Sequence, residues 1–421
     1  MKQVLMLFCF LPCMLFAQVK QSLTLQQVYD LAQQNYPLVK QRELLKQTAN
    51  INIDNLSKGF LPQFSISAQA TYQSDVTEIK IPIPEVNITP LSKDQYKVLA
   101  DVNQLIYDGG IIKDQKNIQQ LNENVEQQKV EVELYKIKER INQLFLGVLF
   151  LDEQIKQVDL VKKDINNGIN KTEAQVKNGV AFKSNLNVLK AELLKTEQRE
   201  IEIKSSRKGL TDVMGLFINQ ALADDVQLVK PAVSIAALQN DIQRPEIKLY
   251  TTQDKLLDGQ FSLLTSRNKP KASLFVQSGY GRPGLNFLKN DFDFFYTTGL
   301  RFNWAFGGLY TQQKEKQLVS LNKKMIEVQK ETFLLNTNTA LKQQQSEVDK
   351  LKLLISKDNE IIDLRISVKD AAKAQLENGV ISANDYLREV NAEDQSRQSL
   401  ITHQIQLLQS QINYQTILGK Q

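Results

Sequence analysis

Histidine, cysteine and tryptophan are nearly missing: one His, two Cys and one Trp in 421 residues. A His/Cys metal site or a His-based catalytic dyad therefore has little material. The lone His403 falls inside a helical pattern and reads as an ordinary helix residue. Prolines number only 10 and cluster in loops. No segment after the first residues holds an apolar run long enough for a transmembrane helix, so a chain of this kind enters a membrane only as strands. The charge is mild and scattered, +5 from 52 basic and 47 acidic residues. With no basic block, nucleic acid is not an expected partner. No phosphate loop, no nucleophile beside a base and no metal cluster emerges. Catalytic residues, cofactor sites and metal ligands are accordingly not expected, and neither is an enzyme.

What is present begins with a secretory pattern. Lys2 is followed by an apolar run from Val4 to Phe16, then by small Ala17 before polar Gln18. Residues 1–17 are expected to be a signal peptide whose removal takes away Cys9 and Cys13. Cys13 follows Pro12 rather than a small residue, which argues against a lipid on its thiol.

Four segments alternate with period two. Gln63 to Tyr72 sets Phe64, Ile66 and Tyr72 against Ser65, Ser67 and Gln69. Tyr96 to about Tyr107 carries Tyr96, Val98, Ala100 and Val102 on one face. Lys271 to Tyr280 and Phe292 to Phe306 repeat the pattern, the last with an aromatic face that includes Trp304 and Phe306. These lengths suit outer-membrane strands of roughly 9 to 11 residues. A soluble sandwich with one wet face fails on number, because four strands in two separated pairs make a poor sandwich.

Between the strand pairs lies helix. Val130, Ile137, Leu144, Leu151, Val158 and Ile165 recur every seventh residue, with Leu134, Ile141, Val148 and Ile155 as partner row. Phe182, Leu189, Ile203, Leu210 and Phe217 continue on the same spacing. The later row Leu334, Leu341, Val348, Ile355 and Ile362 faces a partner row of Gln and Asn, which predicts a narrower dry seam. Thr24 to Gln34 reads as a short amphipathic helix, and Pro37 and Pro245 sit where first helical turns begin.

The chain also repeats itself. Ala174-Gln175-Val176-Lys177-Asn178-Gly179-Val180 returns 200 positions later as Ala374-Gln375-Leu376-Glu377-Asn378-Gly379-Val380. Gly109-Gly110 returns as Gly307-Gly308, each at a change from strand to helix. The expected division is a first structural repeat over 18–218 (strand pair 61–108, hairpin tip near 179) and a connector over 219–241. A second repeat follows over 242–421, with strand pair 271–306 and tip near 379. Four transmembrane strands cannot close a barrel, since open edges in lipid leave backbone groups unpaired. Copies of the chain must lend strands to one another. Three copies give 12 strands and leave a lumen.

This order of signal, helix, strand pair and long helix hairpin, given twice with Gly turns at both tips, resembles the TolC-like outer membrane efflux family across nearly the whole mature chain. The resemblance implies a mainly α chain with a β-barrel portion: long antiparallel coiled-coil helices plus four transmembrane strands per chain. These close as a homotrimeric 12-stranded β-barrel and a periplasmic α-barrel. It implies an outer-membrane exit duct, in outer-membrane lipid of a Gram-negative bacterium with a large periplasmic part. Such a duct passively exports what an inner-membrane transporter (RND or ABC type) and a periplasmic adaptor deliver, for efflux or type I secretion. By position, Asn178-Gly179-Val180 and Asn378-Gly379-Val380 match the family's adaptor-docking tips, although Asn stands where Val is usual. Asn-Gly is also a good helix terminator, and both roles hold together. Asp385 falls at an acidic aperture position, Arg388 at a second, and Asn185 replaces another acid in the first half. A threefold ring of Asp385 is one reading; a helix-start Asp favoured by the dipole and neutralised by Arg388 is the other. Leu376 stands where some gates carry a tyrosine, which implies fewer polar links closing the aperture. Trp304 is either a membrane-interface anchor or packed on a neighbouring strand. The competing class is a soluble periplasmic coiled-coil adaptor or scaffold, which would leave the four strands idle.

Overall fold

The computed structural model describes residues 22–78, 90–232 and 241–420. The expected signal peptide, Cys9, Cys13, Pro82, Pro84 and much of the connector after Ala232 lie outside them. In chain order the elements are β1 (Ser22–Thr24), α1 (Leu25–Asn35), α2 (Lys40–Ser57), β2 (Gln63–Tyr72), β3 (Asp94–Tyr107), α3 (Ile111–Lys177) and α4 (Lys183–Ile218). They continue with β4 (Gln227–Val229), α5 (Pro245–Ser266), β5 (Lys271–Arg282), β6 (Asp293–Asn303), α6 (Gly307–Glu377) and α7 (Ala383–Leu418). None of the described helices is long and apolar enough to cross a membrane. The chain forms two compact units, each drawing on both halves of the sequence.

One unit, made of the described residues within 1–39, 134–243 and 337–421, is mainly helical. Thr24 and Gln27 form a capping box that starts α1 at Leu25, so the helix expected over Thr24 to Gln34 begins and ends one residue later. Val28 and Ala32 on α1 are fully buried against Phe145 and Val148 of α3, Met214 and Ile218 of α4, and Ile412 of α7. The heptad rows are buried along the unit: Ile141 and Val148 of α3 in this core, Ile165 of α3 and Leu189 of α4 in a second cluster, and Val158 of α3, Ile203 of α4, Val348 and Ile362 of α6 elsewhere along the helices. Phe182 departs from its row. It is the residue before α4 and is 81% exposed, because the turn reverses the chain there. The connector contributes β4, which pairs in parallel with β1, Leu23 opposite Leu228. Arg207 holds it down, donating to Asp152 Oδ1 (2.5 Å), Asp224 O (2.6 Å) and Val226 O (2.6 Å).

The other unit, 40–133 with 244–336, carries the sheet. Its order is β2-β3-β5-β6, antiparallel throughout. Cross-strand rows run through all four strands: Ala68, Val98, Tyr280 and Phe294 on one face, Ser67, Leu99, Gly279 and Phe295 on the other. β6 stops at Asn303, short of the alternation, since its partner Lys271 opens β5 just after Pro270, which has no N–H to offer. Trp304 and Phe306 therefore lie beyond the strand. Their rings pack at 4.8 Å, and the Trp304 indole N–H donates to Asn268 O (3.0 Å).

The two glycine pairs do different work. Gly109 and Gly110 both have positive φ, +77° and +92°. Just before them, Asp108 accepts from the N–H of Gly110 (2.8 Å) and of Ile112 (2.6 Å), capping α3. Gly307 and Gly308 are helical, and only Gly308 is crowded, by the Asn268 side chain. Gly109→Ala should cost at least about 2 kcal/mol, from the left-handed backbone and a Cβ placed 2.7 Å from that of Lys269. Gly307→Ala, with open space around it, should stay within about 0.5 kcal/mol. Thermal unfolding followed by circular dichroism compares the two; equal midpoints would contradict the distinction.

Candidate functional site

The sheet presents two unlike surfaces. Phe64, Ile66, Tyr296, Leu300 and Phe302 stand out from one face, all exposed. The opposite face is small and polar toward β2, where Ser65, Ser67 and Gln69 alternate with the apolar set. There the Gln277 amide donates to Asp101 Oδ1 (2.6 Å). On the same face Phe295 lies flat across Gly279; a Cβ on that glycine would sit 2.6 Å from the ring. The Arg301 guanidinium stacks over Phe275 at 4.7 Å. β2 and β6 each keep one edge without a strand partner among the described residues.

The two hairpin tips share one geometry at the ends of α3 and α6. The N–H of Val180 donates to Gln175 O (2.8 Å) and that of Gly179 to Val176 O (3.1 Å); Val380 and Gly379 repeat this on Gln375 O (2.8 Å) and Leu376 O (3.1 Å). This six-to-one, five-to-two pattern is the Schellman motif, and it needs the left-handed φ of Gly179 (+74°) and Gly379 (+69°). Asn178 and Asn378 complete the last helical turns, and Val180 and Val380 are each 71% exposed.

The tips differ where the next helix starts. Ser382 caps α7: its hydroxyl donates to Asp385 Oδ2 (2.7 Å) and accepts from the Asp385 N–H (3.3 Å). These bonds from Ser382, helped by Arg388 at 3.8 Å, hold the Asp385 carboxyl below its ordinary value. Arg388 also donates to Glu389 (3.0 Å). Asn185 takes the matching position in α4, but the residue before that helix is Phe182, whose side chain cannot cap it; only its carbonyl accepts from the Asn185 N–H (3.0 Å). Leu376 is buried with Ile165, Leu186, Leu189 and Tyr386 in the tip cluster, so it serves the packing between helices.

A polar seam that the heptads did not foretell joins the hairpins. Tyr386 is fully buried over Gly168 and its hydroxyl donates to Asp164 O (3.2 Å). Burial, then the surrounding carboxylates, push that phenol up. Lys369 bridges Asp164 Oδ2 (2.8 Å) and Glu393 Oε2 (2.6 Å), and Arg397 adds a second cation to Glu393 (2.6 Å). Burial opposes charge on Lys369 and Glu393, but the pairing outweighs it: the lysine is raised and the carboxylate lowered. Arg199 (2.9 Å) and Gln157 (3.0 Å) converge on Asp394 beside them. At the tip itself the Gln175 amide donates to Leu376 O (2.8 Å), and Lys171 approaches Glu377 at 3.7 Å. The signal for this seam was a set of charges at otherwise apolar helix positions, which spacing alone does not pair. His403 belongs to the same interface type: its Nδ1 meets Asp358 Oδ2 at 2.6 Å. Among the described residues no group of His, Cys, Asp or Glu is placed to hold a metal.

Lys369→Ala should free the tip helices by about 3 kcal/mol, since it strands a buried carboxylate. Hydrogen exchange of α6 and α7 near the seam should speed up about 100-fold, 1.4 kcal/mol being tenfold. The sign with pH follows from the shifts. Lowered Glu393 contributes above its ordinary value of 4.5 and is lost as pH falls through its folded value. Raised Lys369 contributes below 10.5 and is lost as pH rises past its folded value. Protection that ignores both limits would remove the seam as a source of stability.

Residues 28–209 match the family model for outer membrane efflux proteins. No curated protein sequence matches the chain. Solved structures share its fold along 94% of its length. The outer membrane protein VceC of Vibrio cholerae is 13% identical with a TM-score of 0.64 over 96% of that chain. The outer membrane channel CmeC of Campylobacter jejuni is 14% identical with a TM-score of 0.62 over 85% of that chain. The open state of the Neisseria gonorrhoeae outer membrane channel MtrE is 12% identical with a TM-score of 0.63 over 89% of that chain. The TolC-like resemblance drawn from the sequence stands on these matches, as does a mainly α fold carrying a four-stranded sheet.

Proposed function

We propose that the chain is an outer-membrane exit duct, the passive outlet of a tripartite exporter in a Gram-negative envelope. One observation carries the reading: a four-stranded antiparallel sheet with an exposed apolar face, a polar opposite face and two unpaired edges. Lipid against the first face and water against the second satisfy both. Pairing β6 of one copy with β2 of the next satisfies the edges, and three copies supply about twelve strands around a lumen. The helices that continue from those edge strands support this closure. α2 runs toward β2 and exposes Leu44 and Ile51; α6 leaves β6 and exposes Leu318, Leu321, Met325 and Val328 on heptad spacing. A soluble adaptor has no use for the apolar face of the sheet.

The tips Asn178-Gly179-Val180 and Asn378-Gly379-Val380 are the surfaces for a periplasmic adaptor, with an inner-membrane transporter of the RND or ABC type behind it. Rigid turns with exposed valines suit a docking contact. Trp304 anchors the strand-to-helix junction by its bond to Asn268. In the trimer Asp385 and Arg388 ring the aperture, with Asn185 as the uncharged counterpart.

Membrane fractionation with planar-bilayer recording tests the duct. The expected result is a detergent-stable trimer in the outer membrane that conducts ions. A monomer in the soluble periplasmic fraction with no conductance would overturn it. Asp385→Asn should lower cation preference, and in the parent channel that preference should persist below pH 3.8, because Ser382 keeps the carboxylate ionised. Unchanged selectivity would take Asp385 out of the pore.

A further inference from the structure

Lys138 of α3 is a buried cation that nothing in the helical unit neutralises at close range. It is 9% exposed, and among the described residues its ammonium has no hydrogen-bond or ion-pair partner. It lies instead against two rings, 5.1 Å from the centre of Tyr29 and 5.0 Å from that of Tyr135. Both hydroxyls give their proton elsewhere, Tyr29 to Asn142 Oδ1 and Tyr135 to Thr416 O (2.6 Å). The acid whose charge reaches it, Asp30, is engaged by the Gln26 amide (2.9 Å). Burial pushes the ammonium below its ordinary value, and the pull of Asp30 does not restore it. A buried charge in this state is costly until something pairs with it.

Lys138 also lines a cavity of about 280 Å³. Helix α1 supplies Leu25 and Tyr29 to the wall, α7 supplies Ile412 and Gln415, and the connector supplies Pro231. The charged side chains of the wall are Lys138 and Lys420, and no acid is among the described residues that line it. We infer that this cavity is a binding site for a small monocarboxylate, with its carboxylate on the Lys138 ammonium and a short apolar tail against Leu25, Pro231 and Ile412. Two cations without an acid select an anion. Apolar walls select a tail, and they disfavour a doubly charged ion such as phosphate, whose loss of water a single buried ammonium would not offset. The volume lies just under the roughly 300 Å³ at which drug-sized sites begin, so the tail is short. A carboxylate supplies the acceptor that Lys138 lacks, and the Gln415 amide stands in the same wall as a further donor. The ligand would tie together α1, α3 and α7, which are far apart in sequence. The site lies within one chain and does not depend on the duct reading.

Hexanoate is the probe, added to the full chain in detergent, with 1-hexanol (the same tail without charge) and inorganic phosphate as comparisons. At about ten times its dissociation constant, hexanoate should slow hydrogen exchange around Tyr29 and Thr416 roughly tenfold. Hexanol and phosphate should not. Lys138→Met replaces the ammonium by an apolar group of similar length, and it should abolish the slowing while circular dichroism shows the helices intact. A second readout needs no variant. Reductive methylation with formaldehyde, followed by peptide mass spectrometry, should show Lys138 protected about tenfold by hexanoate and exposed Lys190 unaffected. Absence of slowing and protection with hexanoate would overturn the site. So would a folded Lys138→Met variant that responds like the parent. Equal effects from hexanol or phosphate would overturn the carboxylate assignment.

Discussion

Backbone amides and carbonyls along one side of β2 and one side of β6 have no strand beside them within the described chain. In water such an edge invites aggregation; in lipid it costs several kcal/mol for each unpaired group. Much of the remaining design follows from that demand. The sheet must be completed by something of the same register, and its two faces must differ. Both edge strands also join helices through short junctions, Trp304 to Phe306 and Lys58 to Pro62. A cyclic assembly answers all of these at once.

The helical unit answers a different demand. Two hairpins side by side must stay in register, yet apolar heptads alone permit sliding by a whole repeat. Lys369 between Asp164 and Glu393, with Arg199 and Gln157 on Asp394, admits only one alignment. Exchanging the whole set for apolar residues would cost little, whereas removing one partner strands a buried charge, so the ions hold the register as well as the stability of the seam. Gly168 plays the complementary part, since any side chain there would meet the ring of Tyr386.

Much of this was legible in the sequence, because it rests on periodicity. Alternation marked all four sheet strands, and spacing of seven marked the helices whose buried rows the structure shows. Failures came where a single residue or a distant partner decides. β1 and β4 are three residues each and pair across about 200 positions, too short for any alternation to register. Phe182 fits the heptad by arithmetic, but the turn before α4 takes it out of the seam. Asp108, Arg207 and Lys369 are charged residues among many, and only the fold reveals which charges meet. Gly109-Gly110 and Gly307-Gly308 look identical on paper, yet only the first pair needs a left-handed backbone.

The two hairpin tips close their first helices by the same bonds and open their second ones differently. Ser382 and Asp385 secure the start of α7 through their side chains, whereas Phe182 offers α4 only its carbonyl, which takes the Asn185 N–H. A missing cap is worth about 1 kcal/mol, enough to let a first turn fray roughly fivefold more often. One tip is thus a finished mould and the other is pliable. Any molecule that grips both would meet a firm half that sets its orientation and a yielding half that fits itself around the caller.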